Sequence, residues 1–196
     1  MRALLFAAAL FAAGAAHADP VTYTLDPAHT QVAFSIDRFG FNRVLGRFDT
    51  VSGELVLDEA NPANSSVRAT VQIASVDSGN DTRDDHLRGE RWLNAAAHPT
   101  MSFRSTSVTL TGETTATVVG DLTLRGVTAP VTLSVTLNKL GQNPTNQREA
   151  AGFTATGTLS RAAFGIAIAP GLIGDEVAIT IETLAYLAPP TEAPAE

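Results

Sequence analysis

The residue types that carry most enzyme and metal chemistry are thinly spread along this chain. His29, His86 and His98 stand at no metal-ligand spacing, and neither HExxH nor GxSxG occurs. The absence of cysteine removes thiolate zinc sites, cysteine nucleophiles and disulfides. Asp84-Asp85-His86 groups oxygen and nitrogen ligands, yet carboxylates there also suit the positive first turn of a helix. These residues predict no catalytic centre, no metal and no cofactor. A different chemistry is offered by Phe34, Phe39, Phe41 and Phe48, which lie around Gly40 and Gly46 with Arg38, Arg43 and Arg47 among them. Guanidinium groups suit a carboxylate, phosphate or polarised carbonyl, so Arg38 and Arg43 are head-group candidates, with pairing to neighbouring acids as the alternative. A second apolar but irregular segment runs from Phe164 to Ile173, punctuated by Gly165, Pro170 and Gly171. Both segments read as walls or lids of a hydrophobic opening, or else as plugs that complete a core.

The elements that must position these residues are strands. Apolar and polar residues alternate with period two in segments bounded by glycine, proline or asparagine. The inward sets are Val32/Phe34/Ile36, Val51/Gly53/Leu55/Leu57, Val67/Ala69/Val71/Ile73, Met101/Phe103, Ala116/Val118/Gly120/Leu122/Leu124, Val131/Leu133/Val135/Leu137, Phe153/Ala155/Gly157/Leu159 and Val177/Ile179/Ile181. Half-buried strands imply an antiparallel sheet, and short connections at Gly112-Glu113 and Gly126 to Pro130 imply a meander closing into a barrel. The expected fold is therefore all-β, an antiparallel eight-stranded barrel with one short helix. That helix is expected from Asp81, as its cap, to Leu93, packed over one barrel end through Trp92. Bulky Phe34, Phe103 and Phe153 facing small Ala69, Ala116, Gly120, Ala155 and Gly157 are compatible with a vacated lumen and equally with tight interdigitation.

Composition narrows the partners. With 13 basic against 20 acidic residues, a net charge of -7 and no basic run, nucleic acid is not expected as a ligand. Met1 to Ala18 reads as a secretory signal: Arg2 supplies the charged region, Leu4 to Ala13 the apolar stretch, and Ala16-His17-Ala18 the small-x-small site, with cleavage expected after Ala18. Ten apolar residues fall short of the roughly 20 needed to cross a bilayer. The barrel domain is expected over 19–187, and a disordered proline-rich tail over 188–196.

Four stretches resemble the YceI-like family of exported polyisoprenoid-binding proteins: Leu25-Asp26-Pro27-Ala28-His29; Ser75 to Asn80 with Arg83 to Leu87; the run from Gly120 to Val131 (GDLTLRGVTAPV); and Gly174 to Val177. The resemblance covers about Tyr23 to Leu184. It implies a lipocalin-like barrel in the periplasm whose apolar tunnel binds an isoprenoid lipid, a quinone or polyprenyl derivative, without catalysis. The alternation and the two apolar segments supply the expected tunnel residues: Phe34, Ile36, Phe39, Phe41, Leu45, Phe48, Met101, Phe103, Leu122, Leu133, Val135, Phe153, Ala155, Gly157, Phe164 and Ile166. Family members often carry a tryptophan-glycine pair after the strand ending near Leu140, where this chain has the polar run Gly141 to Gln147. Docking of the apolar loops on a membrane-protein partner or membrane surface is the alternative function, and homodimerisation stays open.

Overall fold

The computed structural model describes residues 19–189. The expected signal peptide lies outside the described residues, as does 190–196 of the expected tail. The strands are β1 (Val21–Leu25), β2 (Gln31–Arg38), β3 (Asn42–Phe48), β4 (Val51–Leu57), β5 (Ser66–Gln72), β6 (Val76–Asp77), β7 (Thr100–Leu110), β8 (Thr115–Leu124), β9 (Val127–Gln142), β10 (Glu149–Ser160) and β11 (Ile173–Leu187). All pairings are antiparallel, in the order β1-β4-β5-β7-β8-β9-β10-β11, with β11 returning to β1.

The extra strands are continuations. β11 pairs with β2 through Ile173–Glu182 and with β1 through Ala185–Leu187, so β1 and β2 form one path interrupted at Asp26–Thr30. β3 and β4 follow the same kinked line, as do β5 and β6, because β3 pairs with β2 and β6 while β4 pairs with β1 and β5. Eight antiparallel paths therefore close the barrel, and each of the eight alternating segments falls on one of them. The aromatic run Phe39–Phe48, read as a loop, is instead a tight hairpin turn followed by β3. Phe39 and Gly40 adopt positive φ in that turn, and Asp37 Oδ1 accepts from the Gly40 N–H. Ala188 is also tied down, its N–H donating to the Thr22 carbonyl, so the barrel reaches one residue into the expected tail.

Helix α1 spans Asp81–Arg88, shorter than expected. Its cap is Asn80, whose side chain accepts from the Arg83 N–H, and it stops at Gly89, which breaks the helix before Trp92. Asp84, 4% exposed, accepts from the Ser78 backbone N–H and hydroxyl. That bonding fixes the entry to α1 and is a structural use of the Asp84-Asp85-His86 group. Among the described residues no cluster of three or more histidines and carboxylates could hold a metal.

One end of the barrel carries the β2–β3 hairpin, α1 with the turns to Leu93, the β8–β9 turn and the segment between β10 and β11. Arg125 of the β8–β9 turn donates to the Trp92 carbonyl at 2.6 Å, which fastens Trp92 across this end. The opposite end carries the β4–β5, β7–β8 and β9–β10 connections. There the polar run after Leu140 is ordered by Tyr186, whose hydroxyl accepts from the side-chain amides of Asn143 and Asn146 and whose ring lies 4.2 Å below the Arg148 guanidinium.

Candidate functional site

The inward faces do not meet along the axis. They surround a cavity of about 520 Å³ whose wall is almost wholly apolar, within the usual range of small-molecule sites. Strand alternation builds the wall: β2 and β3 contribute Phe34, Ile36 and Phe48; β7 contributes Met101 and Phe103; β8, Leu122; β9, Leu133 and Val135; β10, Phe153 and Ala155. Ile166, from the β10–β11 segment, completes this part of the wall. The Phe34 and Phe48 rings stand 5.7 Å apart in a tilted pair.

Small residues serve two ends. A Cβ on Gly120 would stand 2.3 Å from Phe103 Cζ, and one on Gly46 would stand 2.4 Å from Phe34 Cζ, so the outer edge of each ring occupies the space over a glycine on the wall. Interdigitation at the wall thus keeps the axis open.

Several expected wall residues are elsewhere. Phe41 is 89% exposed and Leu45 66% exposed: Leu45 lies on the outer face of β3, opposite in phase to Val44 and Gly46, and Phe41 follows the hairpin turn. Phe39 is also exposed, beneath the Arg38 guanidinium at 4.4 Å. Phe164 is buried in the end plug as part of the core and is not part of the cavity wall. Gly157 shares the inward phase of Ala155, but a Cβ there would meet Leu133 Cδ2 and the Thr132 carbonyl at 2.8 Å, so it is a packing position between β10 and β9. The head-group candidates Arg38 and Arg43 are both exposed and outside the cavity, since Arg43 points outward from β3 and donates to the hydroxyl and carbonyl of Ser35. Arg47 pairs with Asp49 and Asp77.

The structure adds wall residues that alternation alone did not select. β7 carries a bulge between Ser105 and Ser107 that reverses its phase, turning Val108 and Leu110 inward after Met101 and Phe103. Leu87, Trp92 and Leu93 close one end. Arg161 closes the same end: it continues the phase of Leu159, is 5% exposed, and donates to the carbonyls of Gly174, Ile166 and Ile173 at 2.8, 2.7 and 3.0 Å. Its guanidinium lies 5.9 Å from the Trp92 ring centroid. One side chain thereby ties both stems of the 162–172 segment over the lumen, as a lid. Asp175 fastens the same lid by accepting from the Ala162 N–H, and hydrogen bonds from Ser160 and Ala162 hold its carboxyl below the ordinary carboxylate range. At the other end, burial pushes the Asp26 carboxyl up, but hydrogen bonds from His29 and the Ala28 N–H outweigh it and leave the group lowered. His29 is thus occupied at 2.6 Å in shaping the β1–β2 kink.

The mouth lies opposite the lid. The β5–β7 ladder ends at Arg68–Arg104 while β7 continues to Leu110, and the β4–β5 and β7–β8 connections rim the opening with Glu59, Pro62, Ser65, Glu113 and Thr114.

A closed antiparallel barrel with a greasy lumen, one lidded end and one polar mouth is a lipocalin-like fold. The chain belongs to the YceI-like family, whose domain matches residues 23–185. It is 38% identical over 178 residues to protein YceI of Escherichia coli O6:H1, covering 91% of this chain and 92% of that one. Among solved structures it resembles Burkholderia cenocepacia BcnA, with a TM-score of 0.74 and 25% identity over 82% of this chain and 98% of that one. A polyisoprenoid-binding domain of Saccharophagus degradans, implicated in plant cell wall breakdown, shares the fold at a TM-score of 0.64 and 15% identity, covering 86% of this chain and 99% of that one.

Proposed function

We propose that this protein binds an isoprenoid lipid, a quinone or polyprenyl derivative, in the barrel lumen, and carries or stores it in the periplasm without transforming it. The observation that carries this reading is the continuous apolar wall of a cavity of about 520 Å³, closed at Trp92 and open at the β4–β5 and β7–β8 connections. At about 0.8 kcal/mol per buried methylene, each five-carbon unit contributes up to roughly 4 kcal/mol before ordering costs, so a chain of a few units binds without strong head-group contacts. An elongated chain also suits the shape, since β9 and β11 run for 16 and 15 residues. The polar groups on the wall support binding over catalysis: the buried Arg161 is committed to three carbonyls, and the histidines His29, His86 and His98 are not part of the wall. Location in the periplasm rests on the signal-like Met1 to Ala18. Native mass spectrometry of protein purified from its host should show a co-purifying prenyl lipid. Persistent recovery of lipid-free protein that also fails to take up prenyl alcohols would overturn the reading.

A second reading, docking on a membrane surface or membrane protein, is favoured by the exposed Phe39, Phe41 and Leu172 at the lid end, where the Phe39 N–H donates to the Leu172 carbonyl at 2.8 Å. Pull-down or vesicle binding that is lost in Phe41→Ser and Leu172→Ser variants would support it.

A further inference from the structure

The two ends of the cavity differ in charge. Among the described wall residues the charged ones are Glu59, Glu113 and Arg161. The cation is at the lid, buried, with Nε, Nη1 and Nη2 all donating to backbone carbonyls. An anion could reach it only through the full length of the apolar lumen, at a desolvation cost that three existing hydrogen bonds give it little to offset. The mouth is the reverse. Glu59 and Glu113 approach it from two different loops, both exposed, with Ser65, Ser66, Thr114 and Thr115 beside them, and no lysine or arginine is part of that rim among the described residues.

Resting on the isoprenoid reading, we infer that this mouth selects prenyl lipids with an uncharged, oxygen-bearing head group and disfavours prenyl phosphates. Tail and head have separate places: the tail fills the lumen toward Trp92, and the head stays at the wet rim. A hydroxyl or carbonyl there exchanges hydrogen bonds with serine and threonine hydroxyls, and a hydroxyl can also donate to a carboxylate. A phosphate monoester, carrying about -1.5 to -2 at neutral pH, meets two carboxylates instead. Glu59 and Glu113 are therefore specificity-determining residues that act by repulsion, and the apolar wall supplies the affinity common to both lipids.

The test uses the purified chain and two probes with the same tail, geranylgeraniol and geranylgeranyl phosphate. Trp92, the sequence's one tryptophan, lines the closed end and reports occupancy by its emission. The alcohol should bind tighter than the phosphate by roughly five- to tenfold at low ionic strength, the gap shrinking at about 0.5 M salt. In the Glu59→Gln/Glu113→Gln variant the phosphate should gain most of that factor while the alcohol changes little. Equal or tighter phosphate binding by the unaltered chain, or a gap that survives both substitutions, overturns the inference and leaves the isoprenoid reading standing. Failure of both probes to bind refutes the isoprenoid reading itself and this inference with it.

Discussion

Ala155→Leu separates a lumen from a core. Ala155 lies on β10 opposite Val135 of β9 and Ile181 of β11, is 8% exposed, and lines the cavity. Leucine adds three carbons on the inward face. If that space belongs to a ligand, the added carbons displace about three methylenes' worth of buried chain, roughly 2.4 kcal/mol or on the order of fiftyfold in Kd. The unliganded protein should keep its Tm or rise slightly, because the new side chain fills vacant volume. If the barrel were solid, the same substitution would overpack it and cost about 1–3 kcal/mol, a fall of roughly 2–12 °C at this chain length. Titration of geranylgeraniol by Trp92 emission, together with calorimetry of the lipid-free protein, reads both quantities. Unchanged affinity, or a clear loss of Tm, would refute the reasoning.

Arg161→Met should lower stability by about 2–4 kcal/mol, since it strands three carbonyls that now accept from a charged donor, and calorimetry with hydrogen exchange at 162–173 should show the lid loosened. Gly120→Val should destabilise by about 1–3 kcal/mol because its Cβ collides with Phe103 and with the Arg104 carbonyl, and Phe103→Leu in the same chain should recover part of the loss in Tm. The lowered carboxyls of Asp175 and Asp26 stabilise the fold above their unfolded pKa of about 3.9; that contribution falls away as pH drops through the folded values, so denaturant midpoints should decline below about pH 4, less steeply in Asp175→Asn. Phe41→Ser should leave stability within about 0.5 kcal/mol and prenyl-alcohol affinity unchanged, since the ring is 89% exposed and outside the cavity.

Where the physics is periodic, the sequence reports it. Eight half-buried segments appear as alternation because each strand has one wet face, and this sufficed to place Phe34, Phe103, Phe153 and their neighbours on one wall. Phase is lost where the ladder is irregular: the bulge at Ser105–Ser107 inverts β7, so nothing in the alternation of Met101 and Phe103 extends to Val108 and Leu110. Aromatic clustering misled at Phe39 and Phe41, because density of rings in sequence carries no direction and the hairpin turns them out. Arg161 was legible in principle, being in phase with Leu159, but an inward arginine makes sense only once the lid's carbonyls converge on it. Glu59 and Glu113 are 54 positions apart in the chain, and only barrel closure brings their loops to one rim.

The most direct test is the electron density inside the barrel of protein purified from its host, without added lipid and at a resolution that traces a branched chain. A continuous prenyl tail running from Trp92 toward the rim of Glu59 and Glu113 is the predicted result. An axis packed with the protein's own side chains, Phe34 and Phe103 swung across it, would contradict the account.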